Sequence, residues 1–446
     1  MKKRILISID HKWRDLPGHV LLGEYLRKLG SEVTYCRNGL EKFFLENSCF
    51  DLVIVNHIFE NARRELILNY KNKDVKFIIF PTEGIPTLED LTDFGLGVNL
   101  DYSNIELYVF WNSYYKARFI ENKTLTDSKI YVSGVPRFDF YKEPFKSEIT
   151  STSDPYTSRI KTVLWATNFT QAQFHDARKF ALMDADAQRL GYKKELIEMK
   201  GDLRTVAELD FQARERSVEI VSQYLEKHDE VTIVLKPHPS EDLLFYKSYF
   251  KDRGFLSDRL ILVEADYIWK LLSKCDVEIS RSCTTAVEAW HLGKPTIDLN
   301  PVPQWNHSSK HANGSIKCHD YATFESAMSE CLSSNYEVPQ KLLSKRMHFI
   351  ERYCEGLSCD RTKLLAQFIT QKIQHRNQSN YACKKNIFSL IIYVLLKHLD
   401  HLPHNLKVYG ARYFIGNRYD KFGRLDKYFH YRDVRRWQDK FRKNLN

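Results

Sequence analysis

No apolar run in the 446 residues approaches the roughly 18 that a membrane-spanning helix needs; F-S-L-I-I-Y-V-L-L, at 388–396, reaches only half of that. The opening M-K-K-R-I-L-I-S-I-D is basic, but its apolar stretch stops at Asp10, too early for the core of a secretory leader. It reads instead as a first β-strand, and a cytosolic protein is expected. The nine cysteines form no C-x-x-C pair, which argues against a zinc knuckle, and their odd number speaks against a disulfide framework. The nearest-spaced two, Cys354 and Cys359, do not make a metal site by themselves. Also missing are the phosphate loop G-x-x-x-x-G-K-[ST], the nucleophile elbow G-x-S-x-G and the zincin motif H-E-x-x-H. Kinase-like, hydrolase-like and zincin chemistries lose their main support, and no repeat of short period occurs.

What is present is alternation, in a chain long enough for two or three domains. Up to residue 140 the apolar runs R-I-L-I-S-I, D-L-V-I-V-N-H, K-F-I-I-F-P, E-L-Y-V-F-W-N and K-I-Y-V-S-G read as strands, with helical spacing in H-V-L-L-G-E-Y-L-R-K-L-G and S-Y-Y-K-A-R-F-I-E-N. Continuous apolar strands between helices imply a parallel sheet covered on both faces. Residues 146–160, rich in Ser, Thr, Pro and charge, read as a linker. The alternation then restarts in T-V-L-W-A-T-N, V-T-I-V-L-K-P, R-L-I-L-V-E-A, D-V-E-I-S-R and P-T-I-D-L. The expected fold is α/β, with doubly wound, Rossmann-like domains at 1–145 and 161–340, helices crossing back at 341–375, and a basic, aromatic-rich extension at 376–446. About sixty residues separate the first two strands of the second domain, far more than a crossover requires. That insertion is a candidate for substrate contacts.

The formal charge of +10 is concentrated at one end. From Arg376 onward sixteen Lys and Arg stand against five Asp, so the remainder is near neutral. Aromatic residues interleave with these cations, but no nucleic-acid-binding motif accompanies them, and nucleic acid is not expected as a partner. An anionic membrane surface is the expected one. A helical subdomain with a solvated charged face is the alternative reading.

In open α/β sheets, ligands bind beyond the carboxyl ends of the strands. Four such positions carry unusual chemistry. In K-P-H-P, Pro237 and Pro239 pre-set Lys236 and His238 in extended backbone, offering an ammonium and a directional N–H to a phosphate; a turn with a satisfied surface histidine is the alternative. In S-R-S-C-T-T-A-V-E, residues 280–288, Ser282, Thr284 and Thr285 stand where a helix begins, and backbone amides and hydroxyls there favour an anion, or else simply cap the helix. Glu288 lies four residues after Thr284, on the same helix face, suited to ribose hydroxyls or to solvent. In F-P-T-E-G-I-P, residues 80–86, Glu83 follows a buried strand beside Gly84, which leaves room for a ligand. Partial desolvation is expected to raise the Glu83 pKa toward that of a general base, with an ordinary loop carboxylate as the alternative. After the first strand, Asp10, His11, Arg14 and Asp15 crowd the sheet edge, lining a cleft for an acceptor or forming a salt-bridged loop. Asn168, closing T-V-L-W-A-T-N, is a further cleft candidate. Asp184 and Asp186 spell D-x-D, but in helical text rather than at a strand end, and are assigned no metal.

P-T-E-G at 81–84, V-S-G-V-P-R-F-D at 132–139, K-P-H-P at 236–239 and S-R-S-C-T-T-A-V-E at 280–288, in this order and at strand ends, make the chain from 1 to 375 resemble the bacterial surface carbohydrate biosynthesis proteins. These are GT-B-type glycosyltransferases related to capsule Kdo-transferases, polysialyltransferases and CDP-glycerol glycerophosphotransferases. The resemblance implies two domains facing a cleft, no cofactor, no metal, and a CMP-activated acidic sugar as donor. It matches Glu83 to the acidic position that supplies the general base, His238 to the phosphate-holding histidine, and Ser282 with Thr284 to the hydroxyl pair. Thr82 departs from a first acidic residue, and Arg281 and Cys283 interrupt the serine run. Arg137 would face the cleft, unless G-V-P-R-F-D is only a turn; Asp15 would matter more in a retaining relative. The expected function is transfer of a sugar onto a glycan or lipid-linked acceptor of capsule or lipopolysaccharide. Transfer of a polyol phosphate from a CDP donor and a non-catalytic assembly scaffold are the alternatives.

Overall fold

The computed structural model describes residues 2–58, 61–71, 73–85, 102–121, 125–150, 161–181, 203–256, 259–302, 309–356, 360–374 and 429–445. Two six-stranded, wholly parallel sheets organise them. The first contains β1 (Arg4–Ile9), β2 (Glu32–Arg37), β3 (Leu52–Val55), β4 (Lys76–Ile79), β5 (Ile105–Phe110) and β6 (Ile130–Val132), in the order β2-β1-β3-β4-β5-β6. The second contains β7 (Lys161–Ala166), β8 (Val231–Lys236), β9 (Leu260–Leu262), β10 (Val277–Ser280), β11 (Thr296–Leu299) and β12 (Ile316–Cys318), in the order β12-β11-β10-β7-β8-β9. The central strands β3, β10 and β11 are buried at every position, as expected where helices cover both faces.

In each sheet the strand order reverses once, between β1 and β3 and between β7 and β10, the point at whose carboxyl ends open α/β sheets bind ligands. Helix α1 (Leu16–Lys28) follows β1, with Pro17 in its first turn, where no N–H is needed, and Arg27 and Lys28 in its last, where cations complement the dipole. Helix α2 (Leu203–Lys227) lies in the long β7–β8 connection, α3 (Ile268–Lys274) precedes β10, and α4 (Thr285–His291) follows it. Asp184 and Asp186, the proposed linker from 151 onward, Cys359 and the extension from 376 to 428 lie outside the described residues.

Helices α5 (Gln340–Cys354) and α6 (Arg361–Gln374) return the chain to the first sheet. Asn112 Nδ2 donates to the Tyr353 carbonyl at 3.1 Å, and the Thr362 amide to Asp139 Oδ2 at 2.8 Å. Gly134 is required at this seam, because its φ is +68° and a Cβ would meet the Arg361 guanidinium at 2.0 Å. Helix α7 (Tyr431–Leu445) closes the molecule, burying Val434, Trp437 and Phe441. One continuous core joins Ile5, Ile7 and Val20 of the first domain to Trp269, Val287 and Trp290 of the second and to these α7 residues.

Candidate active site in the interdomain cleft

On the second-domain side, the chain leaving β8 is fixed by its own short-range bonds. The His238 amide donates to Glu241 Oε1 at 2.9 Å, and His238 Nδ1 accepts from the Ser240 amide at 3.0 Å. An accepting Nδ1 puts the proton of the neutral ring on Nε2, so the imidazole is a directional donor. Glu241 is buried and also accepts from the Thr167 hydroxyl, at 2.8 Å, and from the Tyr246 hydroxyl. Burial pushes its carboxyl pKa up, against these hydrogen bonds. Lys236 donates its ammonium to the Glu264 carbonyl at 3.0 Å, which ties it to the loop after β9.

After β10, Ser282 adopts φ +48°, a left-handed backbone that non-glycine residues enter only where surrounding bonds hold them. Its amide donates to Asp298 Oδ1 at 2.7 Å, and its carbonyl accepts from the Ser309 hydroxyl at 3.4 Å. Thr284 occupies the N-cap of α4 without a side-chain capping bond, so capping does not consume its hydroxyl. Thr285 departs from expectation: its hydroxyl turns inward to Glu278 Oε1 at 2.8 Å rather than toward an anion. Glu278 is fully buried, and desolvation lifts its pKa to about 8. Arg281 interrupts the serine run in sequence but not in space, since its buried guanidinium pairs with Asp210 of α2 and lies 4.8 Å over the Phe169 ring. The Asn168 carbonyl accepts from the same guanidinium at 3.4 Å.

Across the cleft, Arg14 is the hub. Its guanidinium forks onto Asp15 at 2.8 and 3.1 Å, reaches Asp10 at 3.3 Å and Thr82 Oγ1 at 3.1 Å, and pairs with Glu83. Burial disfavours its charge, but Asp15, Glu83 and Asp10 outweigh that and raise its pKa. The expected upward shift of Glu83 is reversed: Arg14 holds the carboxyl below its ordinary range, and the exposed side chain meets too little desolvation to undo that. The Glu83 side chain is 80% exposed. Gly84 does not leave room for a ligand, because a Cβ there would meet the Trp111 ring at 2.6 Å. Asp15 is buried beneath Arg14, and its carbonyl bonds His19 Nδ1 at 2.9 Å. His11 is buried in the same loop and accepts from the Trp13 amide at 3.2 Å.

Arg137 and Glu288 join the two sides. Arg137 donates to the Thr82 carbonyl at 3.1 Å and pairs with Glu288 at 3.2 Å, while the Tyr141 hydroxyl donates to the other Glu288 oxygen. The carboxylate expected to receive ribose hydroxyls is thus engaged by first-domain residues through both oxygens.

Several residues escaped sequence reasoning. Glu241 and Asp298 were legible, one three residues after His238 and the other ending the run P-T-I-D-L. His57, at the end of β3, has its pKa lowered to about 4 by burial and by Arg63, with Asp10, Glu83 and Arg14 also acting on it. His311 is buried and bonds Ser309 Oγ at 2.8 Å beneath the Ser282 loop; burial lowers its pKa to about 4, and its text carries no periodic signal. Among the described residues, no group of three or more His, Cys, Asp or Glu is placed to hold a metal, and no helix is long and apolar enough to cross a membrane.

No family model matches the chain, and no curated protein matches its sequence. Solved structures do. A CDPG-soaked variant of the wall teichoic acid polymerase TagF superposes with a TM-score of 0.53 at 12% identity, covering 83% of this chain and 88% of that one. The S. aureus MnaA–UDP co-structure gives 0.48 at 12% identity, with 83% and 97% covered, and the UDP-GlcNAc 2-epimerase of Methanocaldococcus jannaschii with UDP-GlcNAc and UDP gives 0.49 at 12%, with 82% and 99%. With its two parallel sheets, each reversing strand order once, the chain has the α/β, GT-B-like two-domain fold.

Proposed function

We propose that the protein is a glycosyltransferase of cell-surface polymer synthesis, moving an acidic sugar from a CMP-activated donor onto a glycan or lipid-linked acceptor of a capsule or lipopolysaccharide. The observation that carries this reading is Arg137, which donates to the Thr82 carbonyl beside Glu83 and pairs with Glu288 of α4, the helix that Thr284 begins, and so sets the acidic loop of the first domain against the hydroxyl-bearing loop of the second. The donor nucleotide lies against the second domain. His238 Nε2–H and the hydroxyls of Ser282 and Thr284 stabilise the leaving phosphate as its charge develops. Glu83, ionised at neutral pH, receives the proton of the attacking acceptor hydroxyl, and Arg14 steers it. The Arg14 contact makes Glu83 a weaker base than an isolated carboxylate, so positioning supplies more of the acceleration than basicity. The enzyme works on the cytoplasmic side of the cell membrane, at an anionic surface.

A second reading is favoured by the TagF superposition: transfer of a polyol phosphate from a CDP donor on the same framework. There the same donors would stabilise CMP as the leaving group. A thermal-shift panel of CMP, CDP, UDP and GDP tests both, because a ligand that binds only the folded chain raises its unfolding temperature. Stabilisation by cytidine nucleotides supports the assignment, stabilisation by UDP alone overturns the donor, and product analysis separates sugar from polyol phosphate. A null panel, with Glu83→Gln leaving polymer production unchanged, would point to a scaffold.

A further inference from the structure

Helix α7 has two unlike faces. Val434, Trp437, Gln438 and Phe441, spaced at helical intervals, are buried against both domains. Trp437 Nε1 donates to the Tyr267 hydroxyl at 3.0 Å, Phe441 stacks on Phe140 at 5.9 Å, and Gln438 and Arg442 bond the buried Glu24 carboxylate of α1 at 2.9 and 2.8 Å. The opposite face carries Arg432, Arg435, Arg436 and Lys443, all exposed. Of the two acids on the helix, Asp433 is paired with Lys12 at 3.0 Å, whereas Asp439 is exposed on the basic face, where four cations outnumber it. An exposed apolar side chain accompanies each end of this strip: Tyr431, 41% exposed, at the start, and Leu29, also 41%, next to Lys28, whose ammonium contacts the Leu445 carbonyl.

We propose that this outer face docks the protein on an anionic lipid bilayer. A straight helix of 15 residues presents a basic strip of about 22 Å, which suits a plane better than a groove. Because the apolar face is already used inside the protein, attachment is electrostatic rather than insertive, with Tyr431 and Leu29 at headgroup depth. The inner face sets the orientation. Tyr267, bonded to Trp437, packs edge-on against Trp13 at 5.0 Å, and Lys12 holds Asp433, so α7 is braced against the loop that carries Arg14. The docked plane therefore lies at the acceptor edge of the cleft. Its use in catalysis rests on the reading that the acceptor is lipid-linked, whereas docking does not.

Flotation of the full chain with phosphatidylcholine vesicles, with and without phosphatidylglycerol, tests it. Binding is expected only with phosphatidylglycerol, and salt should release it. The combined variant Arg432→Glu, Arg435→Glu, Arg436→Glu and Lys443→Glu should weaken it by about 100-fold or more while the unfolding temperature stays unchanged. No binding to anionic vesicles, equal binding to neutral ones, binding of a soluble polyanion but not of vesicles, or full binding by the variant would each overturn the proposal. None of these outcomes bears on nucleotide binding, so docking and donor assignment fail separately.

Discussion

On the first-domain side of the cleft one guanidinium, that of Arg14, is shared by Asp10, Asp15 and Glu83, whereas on the second-domain side the candidate groups are an imidazole and two hydroxyls. On the charged side Arg14 pairs locally with Asp10 and Asp15 and across 69 residues with Glu83. The other side is held by backbone amides donating to the buried carboxylates Glu241 and Asp298, with the buried Arg281–Asp210 pair behind the hydroxyl loop. The two constructions answer different demands. On the proposed function, the acceptor hydroxyl meets a carboxylate that Arg14 keeps ionised until the proton arrives. A leaving phosphate needs donors that are already aimed, and backbone bonds fix these before the ligand arrives.

Substitutions should separate the two sides. The largest effect is expected from Glu83→Gln, which removes the proton acceptor and keeps the shape: transfer should fall by about 10²–10⁴ with nucleotide affinity unchanged, read from kcat and a donor titration. Next is Asp210→Ala, which strands the buried Arg281 guanidinium behind the hydroxyl loop. Unfolding in urea should reveal a loss of about 3–5 kcal/mol, and a neutral result would show that the pair does not anchor the loop. His238→Ala should cost about 10²–10³ in kcat and, unlike Glu83→Gln, also weaken nucleotide binding. The smallest effect is a displacement rather than a loss. With Glu83 as the proposed proton acceptor and its pKa lowered chiefly by Arg14, the acid limb of kcat/KM should lie below the ordinary carboxylate range. Arg14→Gln removes the main cause, and the limb should move to higher pH; an unmoved limb would assign it to another group.

The same contrast explains what was legible in the sequence. Ten strands announce themselves as apolar runs because helices cover both faces. The two that do not, β2 and β12, are edge strands with polar text: β2 alternates buried with exposed or half-buried positions in its first half, and β12 places the exposed Lys317 between Ile316 and Cys318, whereas the equally short edge strands β6 and β9 are wholly apolar. His238 was legible because the two prolines act locally, and its partner Glu241 lies three residues on. The charged side was misread wherever a distant partner decides. The Glu83 pKa is set by Arg14, the Gly84 space is filled by Trp111, and the Glu288 carboxylate is held by Arg137 and Tyr141. Thr285 failed for a subtler reason: helix spacing gives the face but not the rotamer, and its hydroxyl found the buried Glu278.

The most direct measurement is a crystal structure with CMP bound. The CMP phosphate is expected within hydrogen-bond distance of His238 Nε2 and the Ser282 and Thr284 hydroxyls, facing Glu83. A phosphate seated away from His238, with that imidazole turned out of the cleft, would contradict it.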